Sequence, residues 1–221
     1  MPDEESALKE DVAKLGRIAF LPALLDVVCV ATGMGYAAVA RVTDERWIAG
    51  AVRDDIQFGL GPGGELPIAS TICHEIHQRR MPVIIDQVSS DAQYCNHHTP
   101  ATYGFESYIS FPIQLKDGSF FGTLCAIDPN AAALKTPAMI QLFTILSNLI
   151  AECLDGLQTL SGPNISKLEM YATAELKNVR SDLDSDDPRF SPANADEKMQ
   201  MLSLKIKMLL RALDPQGAFL R

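Results

Sequence analysis

The stretch Ser107–Ile127 restricts the fold more than any other part of the chain. Two strand-like runs, Ser107–Leu115 and Ser119–Ile127, flank Lys116-Asp117-Gly118. An Asp-Gly turn between alternating apolar runs is a short-range signal for an antiparallel hairpin. The period of two puts Tyr108, Ser110, Pro112 and Gln114 on one face of the first strand and Ile109, Phe111 and Ile113 on the other. The second strand alternates in the same way, Phe120, Gly122, Leu124 and Ala126 against Phe121, Thr123, Cys125 and Ile127. One face of such a hairpin can pack on helices while the other floors a pocket. Gly122 lacks a side chain in mid-strand, which leaves room for a close neighbour or a ligand.

The flanking sequence supplies partners for the hairpin. Residues 4–31 read as a helix kinked at Pro22 and ended by Gly33 and Gly35. Strands are expected over Tyr36–Thr43, Trp47–Arg53 and Val83–Asp86, with a loop at Asp54–Gly64 and a helix at Ile68–Arg79. Gln87–Tyr103 is long and polar; such a loop is either functional or folded into short helical turns. A helix from Pro137 to about Leu160 carries Leu142, Leu146, Leu149, Cys153 and Leu157 at steps of 3 and 4, a coiled-coil-like seam. Further helices are expected over Ile165–Arg180 and Asp196–Leu213, with an acidic linker at 182–197. This is an α+β layout, one antiparallel sheet with helices on it plus a C-terminal helical extension. The implied divisions are an N-terminal helix (1–18), a main domain (19–160) and the extension (161–221).

Charge narrows the partners. Residues 1–160 carry 10 basic and 19 acidic side chains, and 161–221 carry 9 of each. An acidic body repels phosphate, so neither nucleic acid nor an anionic membrane is an expected partner. The apolar run Ile18–Ala40 is interrupted by Pro22 and Asp26 and follows an acidic start, which argues against a leader or a membrane span. Five scattered cysteines without a C-x-x-C pattern fit a reducing, cytoplasmic setting.

Three segments carry a family resemblance. YGFESYISFPIQLKDGSFFGTLCAIDP (Tyr103–Pro129) resembles the C-terminal strand pair of a GAF domain, and STICHEIHQRRMPVIID (Ser70–Asp86) the helix and strand before its ligand loop. HHTP (His97–Pro100) is similar to a bacterial subgroup found at the front of sensor histidine kinases. The resemblance covers about Ala19–Leu157. It implies a non-catalytic sensory or regulatory domain of a two-component type, binding a small molecule between the sheet and loop 87–103. Signalling would pass through the terminal helices to a protein partner. The chain is expected to form a homodimer through Leu142, Leu146, Leu149, Cys153 and Leu157; packing on its own sheet is the plainer role for that seam.

Cys95, His97, His98, Tyr103, Phe105 and Tyr108 are the expected ligand-binding residues. Cys95 precedes a Gly-hydrophobic pair at a distance similar to that of the bilin-bearing cysteine of phytochromes and cyanobacteriochromes, which implies a tetrapyrrole cofactor on Cys95 as an alternative. Free methionine-(R)-sulfoxide reductases also use a GAF fold; there Cys73 and Cys95 would be the reactive thiols. Soft ligands in the pair Cys73 and His77, or in Cys95, His97 and His98, suit zinc, though neither has a structural-zinc spacing, and no metal is expected. Trp47, the one tryptophan, is read as a packing residue.

Overall fold

A computed structural model describes residues 4–159 and 162–184, together with Leu204. The helix expected at Asp196–Leu213 (Leu204 apart) and the acidic linker beyond Asp184 lie outside the described residues.

The N-terminal apolar segment forms two helices, α1 (Glu4–Arg17) and α2 (Leu21–Thr32), bent by 75° with respect to each other. The break falls at Ile18–Phe20 rather than at Pro22. Proline sits in the first turn of α2, where its missing N–H leaves nothing unpaired. Gly33, at φ 72°, closes α2 and donates its N–H to the Cys29 carbonyl.

Strands β1 (Tyr36–Val42) and β2 (Arg46–Asp54) follow, and then β3 (Glu65–Pro67), an edge strand within the stretch expected to run from loop to helix. The helix expected over Ile68–Arg79 divides into a 3-10 turn at Ile68–Ser70, an extended Thr71 and α3 (Cys73–Arg79). After β4 (Val83–Ile85), the long polar loop folds into a 3-10 turn at Val88–Ser90 and α4 (His98–Tyr103). The hairpin is β5 (Ser107–Gln114) and β6 (Phe120–Asp128); α5 (Pro137–Thr159) and α6 (Gly162–Leu183) complete the chain. Thr136 caps α5, its hydroxyl accepting the Met139 N–H at 3.2 Å, with Pro137 as the first helical residue.

The six strands form one antiparallel sheet in the order β3-β2-β1-β6-β5-β4. Gly122 lies opposite Arg41 in the β1–β6 ladder, and a Cβ there would run into the Ala40 carbonyl. A close backbone neighbour, not a ligand, therefore takes the space that Gly122 leaves. A register shift between Ile113 and Gln114 breaks the strict alternation of β6. Phe121 consequently joins Leu124 and Ala126 on the helix side, and Phe120 turns to the other.

Each face of the sheet has its own core. Helices α1, α2 and α5 cover one face, with α6 packed outside them, and Leu24, Phe111, Leu124, Phe143 and Leu146 are among the buried side chains there. Here the seam expectation needs correction. Leu142, Leu146, Leu149 and Cys153 are at most 1% exposed and pack in this core, so they offer no surface to a second chain. The side chain of Leu157 lies outside the described residues. Pro137–Gly156 is long and apolar enough to cross a membrane, yet 67% of it is buried within this chain.

Helix α6 is laid on α2 by buried Ala172, Leu176 and Val179. Arg180 pairs with Asp26 at 2.8 Å, and Asp26 also pairs with Arg53 of β2 at 2.9 Å. Asp26, which interrupts an apolar run in the sequence, thus joins three elements.

Candidate functional site

The other face of the sheet carries a second core, covered by α3, α4 and the loop after β2. Its composition differs: Tyr36, Trp47, Tyr94, Phe105, Tyr108, Cys73 and Cys125 are buried there. Large rings and thiols packed between a sheet and short elements leave gaps, and two adjacent cavities lie here.

The outer cavity, about 470 Å³, is bounded by the loop Ile56–Leu60 on one side and Thr102–Phe105 on the other. The inner one, about 50 Å³, is floored by Tyr36, Trp47, Tyr108 and Cys125 of the sheet and walled by Ile72 and Cys73. Phe58, Leu60, Leu66, Tyr103, Phe105 and Ile127 line both, so they form the shared wall. No charged side chain among the described residues lines either cavity.

Local chemistry explains how the wall is held. Asp54, at the end of β2, accepts the Phe58 and Gly59 N–H groups at 2.9 Å each, folding the loop back over the sheet. Left-handed Gln57 and Gly59 (φ 59° and 86°) complete that bend. The Tyr36 hydroxyl donates to the Leu60 carbonyl at 3.0 Å. Tyr103, last residue of α4, shares a hydrogen bond of 2.8 Å with Ser70, and Gly104 at φ 71° turns the chain into β5. The rings follow one another, Tyr36 to Phe58 at 4.8 Å and Phe58 to Tyr103 at 6.2 Å between centroids.

Of the residues expected to bind a ligand, Tyr103, Phe105 and Tyr108 line the inner cavity, the first two also the outer. The remaining three sit elsewhere. Cys95 is exposed and lines neither cavity. His97 is the N-cap of α4, its Nδ1 accepting the Thr99 N–H at 3.2 Å. His98 Nε2 lies 3.1 Å from the Ala69 carbonyl and stacks on His97, centroids 4.5 Å apart. These two imidazoles hold α4 against the turn before α3. Burial, and then the neighbouring His98, hold the His97 imidazole below its ordinary pKa. Phe58, Leu60 and Trp47 were not among the expected site residues; the one local signal was Asp54 four residues ahead of a Phe-Gly pair.

Cys73 begins α3, and its sulfur lies 3.3 Å from the Tyr108 hydroxyl and 3.5 Å from that of Thr123. Burial raises its thiol pKa, and that of Cys125 well above the ordinary value, so both favour the neutral thiol. His77 turns the other way, facing Asp44 at 3.6 Å and the Phe120 ring at 5.0 Å. Among the described residues, no group of three or more His, Cys, Asp or Glu is placed to hold a metal ion.

The family model for the GAF domain matches residues 17–154, more than half of the chain. No curated protein matches the sequence. Among solved structures, the blue-light absorbing form of the Thermosynechococcus elongatus PixJ GAF domain is similar with TM-score 0.51 and 12% identity, over 74% of this chain and 95% of that one. The GAF domain region of a Geobacter sulfurreducens protein gives 0.48 and 16%, over 65% and 96%. Type II free methionine-R-sulfoxide reductase from Thermoplasma acidophilum gives 0.48 and 14%, over 63% and 94%. At such identity the PixJ likeness speaks for the fold. With the family match over residues 17–154, and the six-stranded antiparallel sheet carrying helices on both faces, the chain belongs to the GAF domain family.

Proposed function

We propose that this chain is a non-catalytic, cytoplasmic regulatory domain that binds a small molecule in the paired cavities and passes the event to α6. The observation that carries this is the shared aromatic wall of Phe58, Tyr103 and Phe105 over a cavity of about 470 Å³. The inner cavity is almost wholly apolar and the outer one mixes aromatic rings with polar surface, a combination that suits a small-molecule pocket.

The route outward begins at the same wall. Asp54 holds the Phe58 loop; its neighbour Arg53 pairs with Asp26 of α2, and Asp26 with Arg180 of α6. A ligand that reorders the loop shifts the balance at this three-way junction by its difference in affinity for the two arrangements. A thiol reductase is less well supported. Cys73 is buried with a raised pKa, Cys95 lines neither cavity, and a free amino acid would bring two charges to uncharged walls. Self-association would proceed through α6, which exposes Met170 and Tyr171, rather than through the buried α5 seam. A signalling partner protein would read the same helix.

Hydrogen exchange of α6, measured with and without a compound that raises the melting temperature in a screen of small metabolites, tests the proposal. Slower or faster exchange in α6 on binding, lost in Asp26→Asn, is the expected result. If no compound raises the melting temperature, or binding leaves α6 exchange unchanged, the proposal is wrong.

A further inference from the structure

The inner cavity sets a chemical requirement on its occupant. Trp47 is 3% exposed, and no protein group accepts a hydrogen bond from its Nε1–H. The indole nitrogen only donates, and a buried donor left without an acceptor is costly. Trp47 and Cys73 line the inner cavity together, and a thiol is at most a weak acceptor for the indole N–H. Other polar groups of the wall are engaged: the hydroxyls of Tyr36, Thr71, Thr99 and Tyr103 each take part in a hydrogen bond within the protein.

The walls add two more constraints. With no charged side chain lining either cavity among the described residues, an ionised group carried inside would lack a counter-charge. The rings of Phe58 and Tyr103 stand on the boundary between the cavities, where a flat ring can stack or meet them edge-on. The inner cavity, at about 50 Å³, admits a few atoms, while the outer one has room for a ring system.

Building on the ligand-pocket reading above, we infer that the ligand is a neutral aromatic molecule with a hydrogen-bond acceptor at one tip, such as a carbonyl oxygen. The tip enters the inner cavity and takes the Trp47 Nε1–H; the ring stays against Phe58 and Tyr103. Anionic ligands such as phosphate esters, and zwitterionic amino acids, are excluded from the inner cavity by the same argument.

Because the chain has one tryptophan, its indole N–H gives one resolved signal in a proton–nitrogen NMR spectrum. Three probes of matched shape are titrated into the full chain: acetophenone, α-methylstyrene, which replaces the carbonyl by an apolar methylene, and benzoate, which is anionic. Acetophenone is expected to move the indole signal and to bind about ten-fold more tightly than α-methylstyrene, with benzoate weakest. In Trp47→Phe, acetophenone and α-methylstyrene should come within about two-fold of each other. An unmoved indole signal while the Phe58 and Tyr103 amides shift, benzoate binding as well as acetophenone, or an undiminished preference in a folded Trp47→Phe would each overturn the inference while leaving the pocket standing. If none of the three moves the Phe58 and Tyr103 amides, the ligand-pocket reading fails along with it.

Discussion

The two faces of one sheet have been given different kinds of interior. On the helix side, aliphatic residues dominate: Leu24, Leu124, Leu146 and Leu149 are all fully buried, and the ring pair Phe111 with Phe143 sits among them at 5.4 Å. On the other side, tyrosines, a tryptophan and two thiols pack under short elements held by side-chain hydrogen bonds, and cavities remain. Flexible aliphatic chains on long helices adjust to fill space. Stiff rings tethered by their hydroxyls cannot, and the space they leave is chemically defined. A filled interior and a cavity-bearing one are thereby divided between opposite faces of the same strands, β1, β5 and β6.

That division is open to direct attack. The largest effect is expected from Gly122→Val, because the new side chain meets the Ala40 backbone carbonyl in the central β1–β6 ladder that both faces share. Loss of soluble folded protein, read by circular dichroism, is the expected result. Leu146→Ala strikes the aliphatic face alone and should cost about 3 kcal/mol, a fall in melting temperature on the order of 10 °C. Phe58→Ala strikes the pocket wall and should cost only about 1 kcal/mol, since Phe58 is half-buried. It should nonetheless weaken acetophenone binding by about five-fold. If Phe58→Ala destabilised the chain as much as Leu146→Ala without touching probe binding, the two faces would not be divided in this way.

The sequence exposes these faces unequally, for a physical reason. The hairpin and α5 are written in periodicity, so the register of Ser107–Ile127 could be read almost to its end. It failed at Phe120 and Phe121, where a bulge adds a residue to one strand and exchanges the sides of the two rings. Spacing on α5 identified an apolar stripe but not its partner, because steps of 3 and 4 look the same facing a sheet or a second helix. The pocket was half legible. Tyr103, Phe105 and Tyr108 sit on or beside a recognisable strand, whereas Phe58 and Leu60 belong to a loop shaped by one carboxylate, Asp54, and by contacts distant in sequence. Trp47 packs, as expected, and also presents a donor that no pattern announces.

A smaller, pH-dependent effect separates the faces in another way. His77 and His97 both belong to elements on the pocket side, and both are held below the ordinary imidazole pKa, chiefly by burial and then by Arg80 and His98 respectively. As pH falls through about 6.5, the unfolded histidines protonate first, so the unfolded state binds more protons. The stability they contribute is complete above that pH and is lost as pH drops through their folded values. The urea midpoint should accordingly be lower at pH 5.5 than at pH 7.5. In the double variant His77→Asn with His97→Asn, that difference should shrink, whereas Leu146→Ala should lower both midpoints equally.

The smallest effect is expected at the residue whose sequence context pointed most directly to a cofactor. Cys95 is exposed, and its sulfur accepts from the Asn96 amide at 3.6 Å. It contributes nothing to the aromatic wall, so Cys95→Ser should change stability by less than about 0.5 kcal/mol and leave the acetophenone titration superimposable. Expression of the unaltered chain alongside bilin-producing enzymes should give colourless protein. A coloured adduct that disappears in Cys95→Ser would place the ligand on the surface loop instead of behind Phe58 and Tyr103. The contrast between faces would then describe packing alone, because the chemistry would lie on neither.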